Sequence, residues 1–112
     1  MPKYIVKYSD DILDDITDLY GFYYDLVDEE SAERFRQEVE QTIDAPDTFP
    51  EINAMWRDNP RVRRVNMKHH KVAIIYTVNN NVYEVIAVAA FHALERPSKY
   101  IKLLNNRLKN PT

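Results

Sequence analysis

Residues 61–100 read RVRRVNMKHHKVAIIYTVNNNVYEVIAVAAFHALERPSKY, and the way apolar and polar side chains alternate along them decides the fold. Val65 and Met67 alternate with Arg64, Asn66 and Lys68, which is the period of a strand with one wet face. His69-His70 then makes a polar break. Val72 to Val78 (VAIIYTV) is rich in β-branched and aromatic residues, as a buried strand should be. Asn79-Asn80-Asn81 predicts a hairpin turn, because asparagine tolerates the left-handed backbone that tight hairpins need. A third strand follows from Val82 to Phe91. Strict alternation puts Val82, Glu84, Ile86, Val88 and Ala90 on one face and Tyr83, Val85, Ala87, Ala89 and Phe91 on the other. Both faces are mostly apolar, which predicts a central strand covered on both sides.

Upstream of this sheet the period changes. Lys3 to Tyr8 (KYIVKY) predicts a short first strand, with Tyr4, Val6 and Tyr8 on one face and Ile5 on the other. Ser9 is placed to cap a helix, and Asp10 and Asp11 sit where the helix dipole favours negative charge. That helix is expected from Asp10 to Val27, with Ile12, Ile16, Leu19, Tyr20, Tyr23 and Val27 in one apolar stripe. Gly21 inside it marks either a close backbone approach or a bend. Asp28 is a second capping signal, and a second helix is expected from Glu29 to Ala45 with the stripe Ala32, Phe35, Val39 and Ile43. Pro46 ends it. Asp47 to Pro60 is expected to be a loop, with Ile52, Met55 and Trp56 tucked against the core edge. After the sheet, Pro97 suits the first turn of a short helix whose stripe is Tyr100, Leu103, Leu104 and Leu108 and whose other side is basic (Lys99, Lys102, Arg107, Lys109). The tail Asn110-Pro111-Thr112 is expected to fray. The resulting class is α+β, order β-α-α-β-β-β with a short C-terminal helix. A helix hairpin packs on a mainly antiparallel sheet, in one domain over residues 1–112.

Composition narrows the functional classes. A chain of 112 residues suffices for one core. Without cysteine there is no disulfide and no thiolate metal site, which suits a reducing cytoplasm. The N-terminus MPKYIVKYSDD has no apolar run behind a basic segment, so no signal peptide is expected. No stretch approaches the ~20 apolar residues of a membrane span. Net charge is −3 but unevenly spread. Residues 1–55 carry fifteen acidic and four basic side chains, and residues 56–112 carry three acidic and eleven basic. Either acidic helices and a basic sheet balance within one fold, or one face attracts a polyanion such as RNA.

A resemblance to a known family rests on Arg63-Arg64-Val65, the run Ile74-Ile75-Tyr76, the asparagine turn, the strand Val85 to Val88, and His92 with Arg96-Pro97 and Tyr100. Together with the element order, over about the whole chain, these resemble the RelE/ParE superfamily of toxins from type II toxin–antitoxin pairs. Toxins resembling RelE cut messenger RNA in the ribosomal A site. That chemistry needs a group to move the 2′-hydroxyl proton, cations for the phosphate and an acid for the 5′-oxygen. The resemblance implies His92 as acid or base, Arg64 and Arg96 on phosphate and Tyr100 assisting the leaving group, with Lys68, His70 and Lys71 touching RNA. The structural alternatives are a sheet-closing His92, a core-packed Tyr100, a solvated Arg64 and Arg96, and a solvated hairpin tip at His69-His70-Lys71. Glu84 reads as a carboxylate base or an edge residue. No cofactor and no metal are implied.

Where strongly nucleolytic relatives carry an arginine two positions before the Ile-Tyr pair, this chain has Ala73, and Asn66 replaces one of their strand lysines. Relatives resembling ParE lack the catalytic set and poison DNA gyrase by binding it. The resemblance therefore implies a cytoplasmic growth-arresting toxin that acts by ribosome-dependent mRNA cleavage, with gyrase poisoning as the alternative. A third reading is a partner that only sequesters its antitoxin. The implied partners are a cognate antitoxin whose disordered segment folds on binding, and the ribosome with mRNA, or DNA gyrase. No membrane is implied, and assembly is left open between a homodimer and a toxin–antitoxin hetero-oligomer. Tyr20, Tyr23 and Tyr24 either receive the antitoxin segment or face the sheet.

Overall fold

The computed structural model describes residues 3–44, 53–56, 58–93 and 97–109, with backbone alone over 97–99. Ile5–Tyr8 forms β1, Asp10–Leu26 α1, Glu29–Asp44 α2, Ala54–Trp56 β2, Asn59–Asn66 β3, Val72–Asn79 β4, Glu84–His92 β5 and Pro97–Lys109 α3. The strands make one sheet in the order β1-β5-β4-β3-β2. β1 runs parallel to β5, and every other pair is antiparallel. This is the α+β architecture expected from the sequence.

The helix hairpin forms where its caps predict. Ser9 has extended backbone, and its Oγ accepts from the Ile12 amide at 3.1 Å. Asp28 Oδ1 accepts from the Ser31 amide at 2.7 Å, and this bond holds the Asp28 carboxyl below its ordinary range. Ile12, Phe35, Val39 and Ile43 then pack on Met67, Val72, Ile74, Ala87 and Ala90, with Ile16, Leu19, Tyr20 and Tyr23 at the margin. The opposite face of the sheet carries Trp56, Val62, Ala73, Ile75 and Phe91, covered by Leu104, Tyr100 and Leu108 of α3. The sheet is thus the middle of three layers. Val72 to Tyr76 are each no more than 1% exposed, which is why β4 reads as an unbroken apolar run.

Four local expectations are corrected. The loop expected over Asp47 to Pro60 contains β2, and Asn59 and Pro60 open β3. Three residues of edge strand leave almost no periodic signal. Within it Trp56 is buried as expected, but Met55 is half-exposed, and Ile52 lies outside the described residues. The left-handed residue of the β4–β5 turn is Tyr83, with φ of 53°, and none of the asparagines. Asn79 Oδ1 instead accepts from the Asn81 amide at 3.0 Å, an Asx turn, while the Tyr83 ring packs edge-on against Tyr4 at 5.5 Å. α1 ends at Leu26, so Val27 leaves the stripe and is exposed. Gly21 lies inside a continuous helix with nothing within 4 Å of where a Cβ would stand, so neither a close approach nor a bend requires it. Ala45, Pro46 and the tail from Asn110 fall outside the described residues.

Candidate functional site

β5 does not keep the strict alternation of its sequence. Its register against β4 shifts between the pairs Ile75↔Ala89 and Tyr76↔Ala87, which leaves Val88 as an extra residue. A bulge puts two consecutive side chains on one face and reverses parity beyond it. Val88 and Ala89 accordingly both join the α3 side of the core. Ala90 moves to the helix-hairpin side, away from Val88, with which simple alternation grouped it. Phe91 faces α3, and His92, opposite Val72, falls on the hairpin side with Ala90.

The α3 side gathers an aromatic cluster around Phe91. The Tyr100 ring stacks on it with centroids 4.7 Å apart and planes at 21°. Trp56 meets it at 6.1 Å in an edge arrangement. The Arg64 guanidinium carbon lies 5.8 Å from the same ring, a cation–π arrangement worth about 0.5–1 kcal/mol at an exposed site. Arg64 Nε donates to Asn66 Oδ1 at 3.2 Å, which orients the fork. A planar cation seated on a ring and aimed by an amide can grip an anionic oxygen in two places. Arg63, its neighbour, is held by the carbonyls of Pro60 and Asn53 at 3.2 and 3.0 Å.

The β3–β4 tip is anchored from below by Glu38. This buried carboxylate accepts from the His69 amide with both oxygens, at 3.1 and 3.0 Å, and lies 3.0 Å from His70 Nδ1. The His70 ring also sits edge-on to Tyr23 at 5.1 Å and Phe35 at 5.5 Å. His70 is therefore a wedge between the hairpin and α2 rather than a solvated tip residue. Lys68, His69 and Lys71 remain exposed at the tip. A cleft of about 470 Å³ opens beside them, with Tyr23, Val27, Arg34, Gln37 and Gln41 among its walls.

Of the residues singled out from sequence, the fold brings Arg64 and Tyr100 together through Phe91. It sets Lys68, His70 and Lys71 at the tip and His92 on the other face of the sheet. Arg96 lies outside the described residues. Glu84 pairs with Lys7 across β1 and β5. Among the described residues no three histidine, aspartate or glutamate side chains gather where they could hold a metal ion, and no helix is long and apolar enough to cross a membrane.

Phe91, Glu38, Asp15 and Arg107 were missed. The sequence places Phe91 only on a strand face and Arg107 on the basic side of the last helix, and nothing in it singles out Glu38 or Asp15. Asp15 and Arg107 meet across the end of β5. Arg107 Nη1 and Nη2 donate to Asp15 at 2.6 and 3.1 Å, and this bond, opposed by burial, raises the guanidinium above its already high range. Asp15 also accepts from the Ala90 amide at 3.0 Å, and the Val88 carbonyl accepts from Arg107 at 3.3 Å.

Comparison with known proteins adds the following. A family model described as the ParE toxin of the type II toxin–antitoxin system parDE matches residues 6–108. No curated protein sequence matches the chain. The fold is similar to a structure of the chromosomal ParDE system from P. aeruginosa, at 15% identity over 80% of this chain and 96% of that one, TM-score 0.69. It is similar to the toxin–antitoxin complex RelBE2 from Mycobacterium tuberculosis, at 12% identity over 85% and 97%, TM-score 0.59. It is also similar to a free mutant of the E. coli toxin RelE, at 10% identity over 98% and 99%, TM-score 0.56. At these identities the structural likeness is one of fold.

Proposed function

Because the chain belongs to the ParE toxin family of type II toxin–antitoxin systems, we propose that it arrests growth by binding DNA gyrase, with no bond-breaking step of its own. The observation that carries this reading is the split of the expected catalytic pair. A nuclease needs a proton-transfer group and a phosphate-gripping cation on the same atoms of substrate. Here Arg64 stands over Phe91 on the α3 side, while the bulge at Val88 turns His92 to the hairpin side. Ala73 is buried between β3 and β5, so the position where nucleolytic relatives carry an arginine is occupied by core. What remains accessible on the α3 side is the oriented Arg64 and the edge of Tyr100, both partly exposed over the buried rings of Phe91 and Trp56, a surface suited to binding.

The cognate antitoxin is the second partner of this reading. Phe22, Tyr24, Leu26 and Val27 expose apolar surface at the end of the helix hairpin, between 49% and 67% accessible. An amphipathic segment that folds on binding would cover them. Tyr20 and Tyr23, by contrast, pack on the core margin, so of the three tyrosines Tyr24 is the one exposed enough to meet such a segment.

One observation favours mRNA cleavage as a second reading: Arg64 and Tyr100 do converge, on one ring. The two readings separate in one experiment. Purified toxin is added to a gyrase supercoiling reaction, and mRNA 5′ ends are mapped in cells after induction. Stalled supercoiling with DNA breaks and intact mRNA is the expected result. New 5′ ends inside translated codons, lost when ribosomes are absent, would overturn it.

A further inference from the structure

α3 lies on the sheet through an apolar stripe, and apolar contact alone does not specify a register. Tyr100, Leu104 and Leu108 pack on Phe91, Trp56 and their neighbours. Burial of such surface is non-directional, so a helix shifted by one turn of about 5.4 Å would bury a similar stripe. That shift would carry Tyr100 off Phe91. Some directional contact must therefore choose the observed register.

The bulge in β5 supplies it. β1 covers β5 only as far as the pair Tyr8↔Ala87. Beyond that point the backbone of β5 meets side chains instead of a strand. The Ala90 amide donates to Asp15 of α1, and the Val88 carbonyl accepts from Arg107 of α3. Asp15 and Arg107 complete the arrangement with two hydrogen bonds to each other. Their side chains are 19% and 13% exposed, and Arg107 Nε is buried with no hydrogen bond, 3.8 Å from Asp11. A largely desolvated ion pair adds little net stability against an apolar replacement, but displacement separates two partly buried charges. Such a pair acts more strongly on position than on stability. Arg107 follows Tyr100 by seven residues, close to two helical turns, so pinning one fixes the other on the same side of α3.

We infer that Asp15 and Arg107 are positioning residues: together with the bulged backbone of β5 they pin the register of α3, and so hold Tyr100 stacked on Phe91 beside Arg64. The pin itself is independent of the target; its consequence for toxicity rests on the gyrase-binding reading above.

The test uses the full chain. Its single tryptophan, Trp56, packs against Phe91 and borders Leu108 of α3, so its emission reports the seating of that helix. Nuclear Overhauser contacts between the Tyr100 and Phe91 rings report the register directly, and far-ultraviolet circular dichroism reports the fold. Arg107→Met is expected to keep the dichroism signal, lose the Tyr100–Phe91 contacts and shift Trp56 emission to the red. Arg107→Lys, which keeps a charge for Asp15, should recover part of the contacts. Should Arg107→Met fail to fold because the partly buried Asp15 loses its counter-charge, the double variant Asp15→Asn with Arg107→Met removes both charges, and its Asn still accepts from the Ala90 amide. A folded double variant with the ring contacts and Trp56 emission unchanged would overturn the inference. Loss of the contacts with full toxicity retained would uphold the pin and count against the α3 side as the target-binding surface.

Discussion

Gly21 and Glu38 show how differently single residues contribute to this molecule. Gly21 sits mid-helix in α1 with open space around its Cα and an ordinary negative φ. Alanine there loses less backbone entropy on folding. Gly21→Ala is expected to stabilise the protein by about 0.5–1 kcal/mol, read as a higher denaturation midpoint at unchanged slope. Glu38 is the opposite case, a carboxylate 9% exposed that satisfies the His69 amide and meets His70. Glu38→Ala leaves that amide without its acceptor and is expected to cost about 1–3 kcal/mol by urea denaturation. An unchanged midpoint would mean that water replaces the carboxylate without loss. The sequence shows Glu38 only as one of many acids on α2, because a partner 31 residues away leaves no local signature.

At the scale of elements, the two helices of the hairpin were legible because caps and stripes are local. Ser9 and Asp28 cap where they were expected to, and the buried stripe of α2 contains Ala32, Phe35, Val39 and Ile43 as expected. The Asp28 cap has a pH consequence. The Ser31 amide lowers the carboxyl in the folded state, so the unfolded chain takes up a proton at higher pH than the folded one. The stabilisation is complete above the ordinary carboxylate range and disappears as pH falls through the lowered folded value. An acid titration of helicity is therefore expected to lose part of its acid limb in Asp28→Ala, and an unaltered limb would assign it to other carboxylates. The sheet was less legible than the helices. β2 is too short to show a period, and Pro60 belongs to the strand β3 that follows it. β5 was found with nearly its true ends, but alternation fails from Ala89 onward, since nothing local marks Val88 as a bulge.

For the whole molecule, the charge asymmetry of the sequence becomes an asymmetry of layers. α1 and α2 carry most of the acids, and β3, the β3–β4 tip and α3 carry most of the cations. Exposed charges of this kind steer association more than they hold a complex together, and salt screens them over about 8–10 Å. Inhibition of the target is accordingly expected to set in more slowly as ionic strength rises, with Arg64→Ala weakening inhibition at every salt concentration. A rate independent of salt would remove the basic layer from the binding surface. That Arg64 and Tyr100 share one ring, while the register of β5 sets His92 opposite Val72 on the other face, is likewise a whole-molecule fact. It requires β3, β5 and α3 to be assembled first.

The sequence alone carried the order of elements apart from β2, the two amphipathic helices, the doubly buried central strands, the uneven spread of charge and the resemblance to the family. The elements follow from periodicities and residue types read within a few neighbours, the charge spread from composition, and the family from a resemblance carried by short motifs. The tertiary structure alone decided which face His92 takes, that β2 closes the sheet edge, that His70 is wedged on Glu38, and that Asp15 reaches Arg107 across 92 residues. The physical reason is register. A one-residue slip between β4 and β5 reverses every side chain beyond it at little local cost, and only the packing of distant segments selects which slip is made.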